Sequence, residues 1–224
     1  MLKDPDDPKV LGIEKNVFIL GLVSMLADIS SEMVYPFISI FLADVLKTSR
    51  FAIGLIEGIA ESTASISTLF SGWFSDKINK RKLLAVIGYS FGVISRPMLG
   101  LATFWPQVLG LRFFDRVGKG VRTAPRDAII ADSVPITERG KAFGFHRTLD
   151  TLGAIIGPLV ASGLLLFVVG PSNYRAIFFA AGLPALLAVL LLGFFAQEKV
   201  PAKREAKPPK LQLRAFPPQF KLFL

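Results

Sequence analysis

Three observations predict an all-α membrane protein, a bundle of six transmembrane helices, from this 224-residue sequence. Hydrophobic residues make up 52% of it and gather into six long stretches, at about 16–44, 51–75, 82–103, 104–125, 142–168 and 174–196. Each is near or above the ~20 residues that cross a ~30 Å hydrocarbon core. The gaps between them are short, and their basic residues alternate between many and few.

The segment 1–15 (MLKDPDDPKVLGIEK) is charged and partly acidic. The apolar stretch after it is too long for a signal peptide and has no obvious small-residue cleavage site. Segment 1–15 therefore reads as a polar N-terminal arm. The first span reads GLVSMLADISSEMVYP, with Asp28 and Glu32 four residues apart and so on one helix face. Ser24, Ser31 and Tyr35 extend the same stripe. The second span repeats the device with Glu57 and Glu61, continued by Ser65 and Thr68, and the third carries Arg96 next to Pro97. Ionisable side chains at mid-membrane cost ~2.5–3.5 kcal/mol each on insertion scales, so they face a bundle interior or a wet cavity. Mutual pairing that only ties helices together is the plain alternative.

The fourth span contains DRVGKGVRTAPRD, residues 115–127. At 100° per residue, Arg112, Asp115, Arg116, Lys119 and Arg126 fall within about one third of a helix circumference, with Arg122 on the margin. Such a stripe can hold an anion or neutralise the carboxylates of the first two spans. Gly118, Gly120 and Pro125 are expected to weaken the helix beyond Lys119. GKG is not a phosphate loop, which needs GxxxxGK followed by Ser or Thr between a strand and a helix.

The fifth span reads GFHRTLDTLGAIIGPLVASG and the sixth is almost wholly apolar. Residues 197–218 are polar, basic and proline-containing, as in a linker, and FKLFL at the end of the chain reads as the start of a seventh span, cut short.

The formal net charge of +9 is largely explained by orientation. With the N-terminus inside, the inside loops hold Lys77, Lys80, Arg81, Lys82, Arg139 and Lys141. The outside loops hold only Lys47, Arg50 and Arg175. Basic short loops stay in the cytoplasm, so both ends of the chain are expected there and nucleic acid is not an expected partner. With no cysteines, disulfides, thiolate metal sites and cysteine nucleophiles are excluded.

Two stretches carry a family resemblance. GWFSDKINKRK places Gly72, Asp76, Lys77, Lys80 and Arg81 in the loop after the second span. It resembles the major facilitator superfamily loop GxxxD(R/K)xG(R/K)(R/K), with Asn79 where that family usually has glycine. In the fifth span Gly144, Gly153, Gly157 and Pro158 match Gx8Gx3GP, the motif of the superfamily's proton-coupled antiporters, with Ala161 and Ser162 in place of its final glycines. The fourth span matches RxxxGxG only in part, through Arg116 and Gly120.

The resemblance implies a secondary transporter of twelve spans in two halves. Each half consists of two inverted three-helix repeats, with the substrate between the halves near the midplane. On that reading residues 16–196 are the N-terminal half, 197–218 the linker and 219–224 the opening of the seventh span. The expected activity is proton-coupled antiport or efflux of a small organic solute across the inner (plasma) membrane, with uptake of an anionic solute as the alternative.

Asp28 and Glu32 are the expected proton carriers, since acids withdrawn from water can bind and release protons usefully. Glu57, Glu61, Arg96, Arg112, Asp115, Arg116 and Lys119 are expected to line the cavity. Arg112 and Arg116 would be charge partners of Asp28 and Glu32, or ligands of an anion. Asp76 and Arg81 would gate, and the span-five glycines would pack helices. The expected partners are substrate, protons, lipid, and a missing C-terminal half or a second copy of the chain. No cofactor, metal or catalytic residue is expected. A six-span enzyme acting on lipid head groups is the rival class. It lacks support because no DGxxAR occurs and His146 has no partners for metal chemistry.

Overall fold

The computed structural model describes residues 9–78, 80–167 and 173–198, and for 76–78 the backbone alone. A two-residue hairpin, β1 (Lys9–Val10) and β2 (Ile13–Glu14), turns at Leu11 and Gly12, both at positive φ. Six long helices follow: α1 (Lys15–Ile40), α2 (Arg50–Ile78), α3 (Arg81–Leu99), α4 (Trp105–Ser133), α5 (Arg139–Phe167) and α6 (Asn173–Phe195). α1 continues into a π-helical turn at Phe41–Val45. The expected linker beyond Glu198 and the seventh-span start, 219–224, lie outside the described residues.

Helices are the form these stretches must take, because in hydrocarbon every backbone N–H and C=O needs a partner within the segment. Pro36, Pro97, Pro125, Pro158 and Pro184 all lie inside helices, each removing one backbone donor. Four segments are long and apolar enough to cross a membrane on length and composition alone: Lys15–Val45, Arg81–Leu99, Ile136–Phe167 and Asn173–Phe195. α2 and α4 do not qualify by that measure. They are the helices that carry Glu57, Glu61 and the cationic stripe, and the fold turns much of that charge inward against itself.

The helices pack in a two-fold pattern. α1 packs on α5 and α6, α4 packs on α2 and α3, and α3 meets α6. Exchanging α1 with α4, α2 with α5 and α3 with α6 leaves this set unchanged, as two three-helix repeats require. Lipid is as apolar as the side chains it surrounds, so close approach and polar contacts hold such helices together rather than a hydrophobic drive.

Glycine supplies the close approach. A Cβ on Gly153 would sit 2.5 Å from the Met25 carbonyl oxygen, and one on Gly157 2.7 Å from that of Ile29. α5 thus lies directly on the α1 backbone. Gly118 does the same for α4 against Gly88 and Phe91 of α3, and Gly120 for α4 against α2. The expectation that these glycines weaken α4 is therefore corrected. The helix runs unbroken to Ser133, because the packing they permit offsets their helix cost of about 1 kcal/mol each. Gly144 is the other correction. A Cβ there would meet open space, so it packs against no helix among the described residues.

Two apolar clusters cap the bundle. One, with Val17, Leu20, Val23, Ile129, Ile130 and Leu192, lies at the end holding the α2–α3 and α4–α5 connections, called here the basic end. There Asn16 donates to Ser133 Oγ (2.7 Å) and exchanges hydrogen bonds with the Gln197 backbone, tying α1, α4 and the end of α6 together. The other cluster holds Phe37, Ile38, Phe41, Leu42, Ile177 and Phe178, with Phe41 and Phe178 edge to face at 5.2 Å. Between them runs a belt of charge.

Candidate functional site

The belt is built on α4. Arg112, Asp115, Arg116 and Arg122 are all buried, whereas Lys119 is exposed and Arg126 half-buried. Arg122, marginal by helical periodicity, is thus an interior residue.

Three ion pairs within the belt fix α4 to its neighbours. Arg96 of α3 donates from Nε to Asp115 (3.2 Å) and from a terminal nitrogen to the Ala27 carbonyl of α1 (3.2 Å), while Ser95 also reaches Asp115 (3.3 Å). Arg112 donates to Glu57 (2.7 Å), and Arg116 pairs with Glu61 (3.0 Å). The Tyr35 ring lies beneath both guanidinium groups, at 5.4 and 5.7 Å. A narrow recess here is lined by Ser31, Glu32, Tyr35, Arg96, Arg112, Asp115 and Arg116.

This geometry corrects one expectation. Arg112 and Arg116 pair with the carboxylates of α2, not with Asp28 and Glu32. α4 lies along α2 and makes little contact with α1, so α2 is within side-chain reach. Asp28 and Glu32 are half-buried and, among the described residues, form no ion pair. The α5 glycines abut these positions, since a Cβ on Gly153 would lie 3.0 Å from Asp28 Cβ and one on Gly157 2.8 Å from Glu32 Cβ. Lys119 also has no ion-pair partner among the described residues.

A second cluster, nearer the basic end, was not foreseen as a group. Ser24 of α1 is its hub. It shares hydrogen bonds with Tyr89 of α3 (3.1 Å) and His146 Nε2 of α5 (2.8 Å), and accepts one from Arg126 of α4 (3.2 Å). His146 Nδ1 lies 3.6 Å from Asp150, one turn along α5, and Arg126 pairs with Asp127 at 2.9 Å. Arg122 stacks on the Tyr89 ring at 4.3 Å. The i,i+4 spacing of His146 and Asp150 was the available sequence signal. Among the described residues no group of three or more His, Cys, Asp or Glu side chains could hold a metal ion.

At the α2–α3 connection Arg81 is buried and pairs with Asp132 of α4, while its backbone N–H donates to Glu198 (2.5 Å). Gly72 is half-buried and Lys80 exposed. The side chains of Asp76 and Lys77 lie outside the described residues. Pro158 sits within α5 beside Gly157.

Six helices in a two-fold arrangement around a buried charged belt define a polytopic membrane domain of the transporter type. The comparisons agree. The sequence profile of the Major Facilitator Superfamily matches residues 20–224, and the chain belongs to that family, one of transporters rather than enzymes. It is 35% identical to an uncharacterized MFS-type transporter of Methanocaldococcus jannaschii, over 95% of this chain and 52% of that protein. It is 24% identical to the cis,cis-muconate transport protein of Acinetobacter baylyi, over 82% of this chain and 43% of that protein. In structure it is similar to a POT family transporter crystallised with 5-aminolevulinic acid, with a TM-score of 0.77 and 16% identity over 86% of this chain and 40% of that one. The chain thus spans about half the length of the curated relatives it matches.

Proposed function

We propose that this chain is the N-terminal half of a proton-coupled secondary transporter that moves a small organic solute by alternating access. The observation that carries the reading is the pair of carboxylates, Asp28 and Glu32, that form no ion pair among the described residues and lie on the face of α1 that borders the charged recess. Every cation at the level of Arg112 and Arg116 already has an acidic partner, so these two acids are the groups there with an open place for a proton. Their protonation changes the charge of the recess by up to two units, which makes exposure of the recess to one side or the other depend on proton binding.

The solute path lies along α1 and α4, and a second six-helix half covers it, either the C-terminal half of the same protein or a second copy. Lys119 and Glu61, exposed here, are charges that lipid does not solvate and that such a half would enclose. The basic end faces the cytoplasm of the inner membrane, in keeping with the basic loops, and Arg81 with Asp76 gates that end. Protons entering drive solute out.

A second reading, uptake of an anionic solute with protons, draws on the unpaired cation Lys119 and on the transported substrate of the muconate relative. The test is solute-driven proton flux in vesicles containing the complete protein, screened over solutes of each charge class. Asp28→Asn and Glu32→Gln are each expected to abolish coupling to the proton gradient. Uphill transport with unaltered pH dependence in both variants would make the acids structural.

A further inference from the structure

One buried group has no use in the mechanism above. Arg122 is 5% exposed, its guanidinium carbon lies 4.3 Å from the centre of the Tyr89 ring, and its Nε is buried with no hydrogen-bond partner. Among the described residues its side chain forms no ion pair and no hydrogen bond. Guanidinium does not deprotonate in proteins, and a buried charge without a counter-charge is strongly disfavoured. Asp115 and Asp150 act on it only through space, and neither forms an ion pair with it. Asp115 serves Arg96, Glu57 serves Arg112, Glu61 serves Arg116 and Asp127 serves Arg126. Lys119, one turn away, is a second cation without a carboxylate.

The position is nevertheless built. Gly88 leaves room for Arg122, since a Cβ there would lie 2.8 Å from Arg122 Cβ. Tyr89 is held in place through its hydroxyl by Ser24, which His146 and Arg126 hold in turn. Stacking on a ring occupies the face of a guanidinium and leaves its in-plane N–H edge free. That edge matches the two oxygens of a carboxylate or phosphate.

We propose that Arg122, lying on Tyr89, is an oxyanion-binding residue of the solute path, assisted by Lys119, and that its ligand is the carboxylate or phosphate group of a small organic solute. The proposal rests on the transport reading, but not on the direction of transport or on the roles of Asp28 and Glu32.

The test uses the complete purified protein in detergent free of anionic lipid, titrated with succinate, inorganic phosphate or choline chloride while thermal unfolding is followed. Succinate or phosphate is expected to raise Tm saturably and choline chloride is not. Arg122→Gln should weaken the apparent affinity at least tenfold, and Arg139→Gln, at an exposed position, should leave it unchanged. Without anion, Arg122→Gln should hold or raise Tm, because it removes an unpaired buried charge; a structural arginine would lower it. If Arg122→Gln does not fold, Arg122→Lys keeps the charge, loses the fork and should weaken binding several-fold.

Equal anion affinity in the variants and the parent overturns the proposal. So does stabilisation by phosphatidylglycerol with no response to soluble anions, which would make this a lipid site. Proton flux evoked in vesicles by cationic solutes, with no anion binding, overturns it and leaves the transport reading standing. Anion binding that depends on Arg122, with no solute of any class evoking flux, supports the site and overturns the transport reading.

Discussion

Two levels of α4 carry the same kind of side chain in opposite circumstances. At Arg112 and Arg116 each guanidinium meets a carboxylate of α2. Six residues beyond Arg116, about 9 Å along the axis, Arg122 meets an aromatic ring and pairs with no acid among the described residues. The first level is closed in on itself and holds α2 to α4. The second, with Lys119, holds cations that form no ion pair among the described residues. What separates the two levels is therefore the partner each cation meets, not its type, its depth or its place on the helical stripe.

The comparison is broken most directly at the paired level. Asp115 is 8% exposed and Arg96 4% exposed, and the pair is braced by Ser95 and by the Ala27 carbonyl. Asp115→Ala strands a buried guanidinium and should cost about 3–5 kcal/mol of stability. The expected readout is a large fall in Tm in detergent. Adding Arg96→Met to that variant should recover part of the loss, because the stranded charge is then gone. A double variant as unstable as the sum of the singles would mean the two residues act separately.

A smaller effect is expected where α5 touches the unpaired acids. Gly157→Ala places a methyl group 2.7 Å from the Ile29 carbonyl and 2.8 Å from Glu32 Cβ. Overpacking of this kind costs about 1–3 kcal/mol, and it pushes on α1 beside Glu32, so transport should fall along with Tm. Gly144→Ala, from the same sequence motif but with open space around it, should leave both unchanged. Equal losses at the two positions would separate the motif from its packing role.

Much of this arrangement was legible in the sequence. Apolar length gave the six helices to within a few residues at most ends, and periodicity placed Asp28, Glu32, Glu57, Glu61 and the α4 cations on polar faces. The partners were not legible. Periodicity tells which face of a helix is polar but not how two helices are rotated against each other, so Arg112 and Arg116 were assigned to α1 when α2 was in reach. The length of α4 was misjudged for a related reason. Gly118 and Gly120 carry a local propensity against helix, and only the packed neighbours at Gly88 and Ser67 reveal what that propensity is exchanged for. His146 and Asp150 were visible as an i,i+4 pair, but their link through Ser24 to three other helices depends on tertiary contacts alone.

The smallest expected change in stability lies at the third ion pair, and it sharpens the comparison. The side chains of the carboxylates facing Arg96, Arg112 and Arg116 are 10%, 24% and 58% exposed. Removing Glu61, the most exposed of them, should therefore cost no more than an exposed pair does, about 0–1 kcal/mol. Glu61→Ala is expected to shift Tm by only a few degrees. Transport should respond differently. Arg116 is buried against Tyr35 and lines the recess with Glu32, so Arg116→Ala changes the charge seen by a proton or solute there. Arg139, exposed at the start of α5, does not touch the recess, and Arg139→Ala should retain nearly full flux. Measured in the same vesicles, a loss of flux of tenfold or more in Arg116→Ala beside a small one in Arg139→Ala would separate recess from surface. Equal small losses in both would mean that the level of Arg116 holds helices together and takes no part in transport.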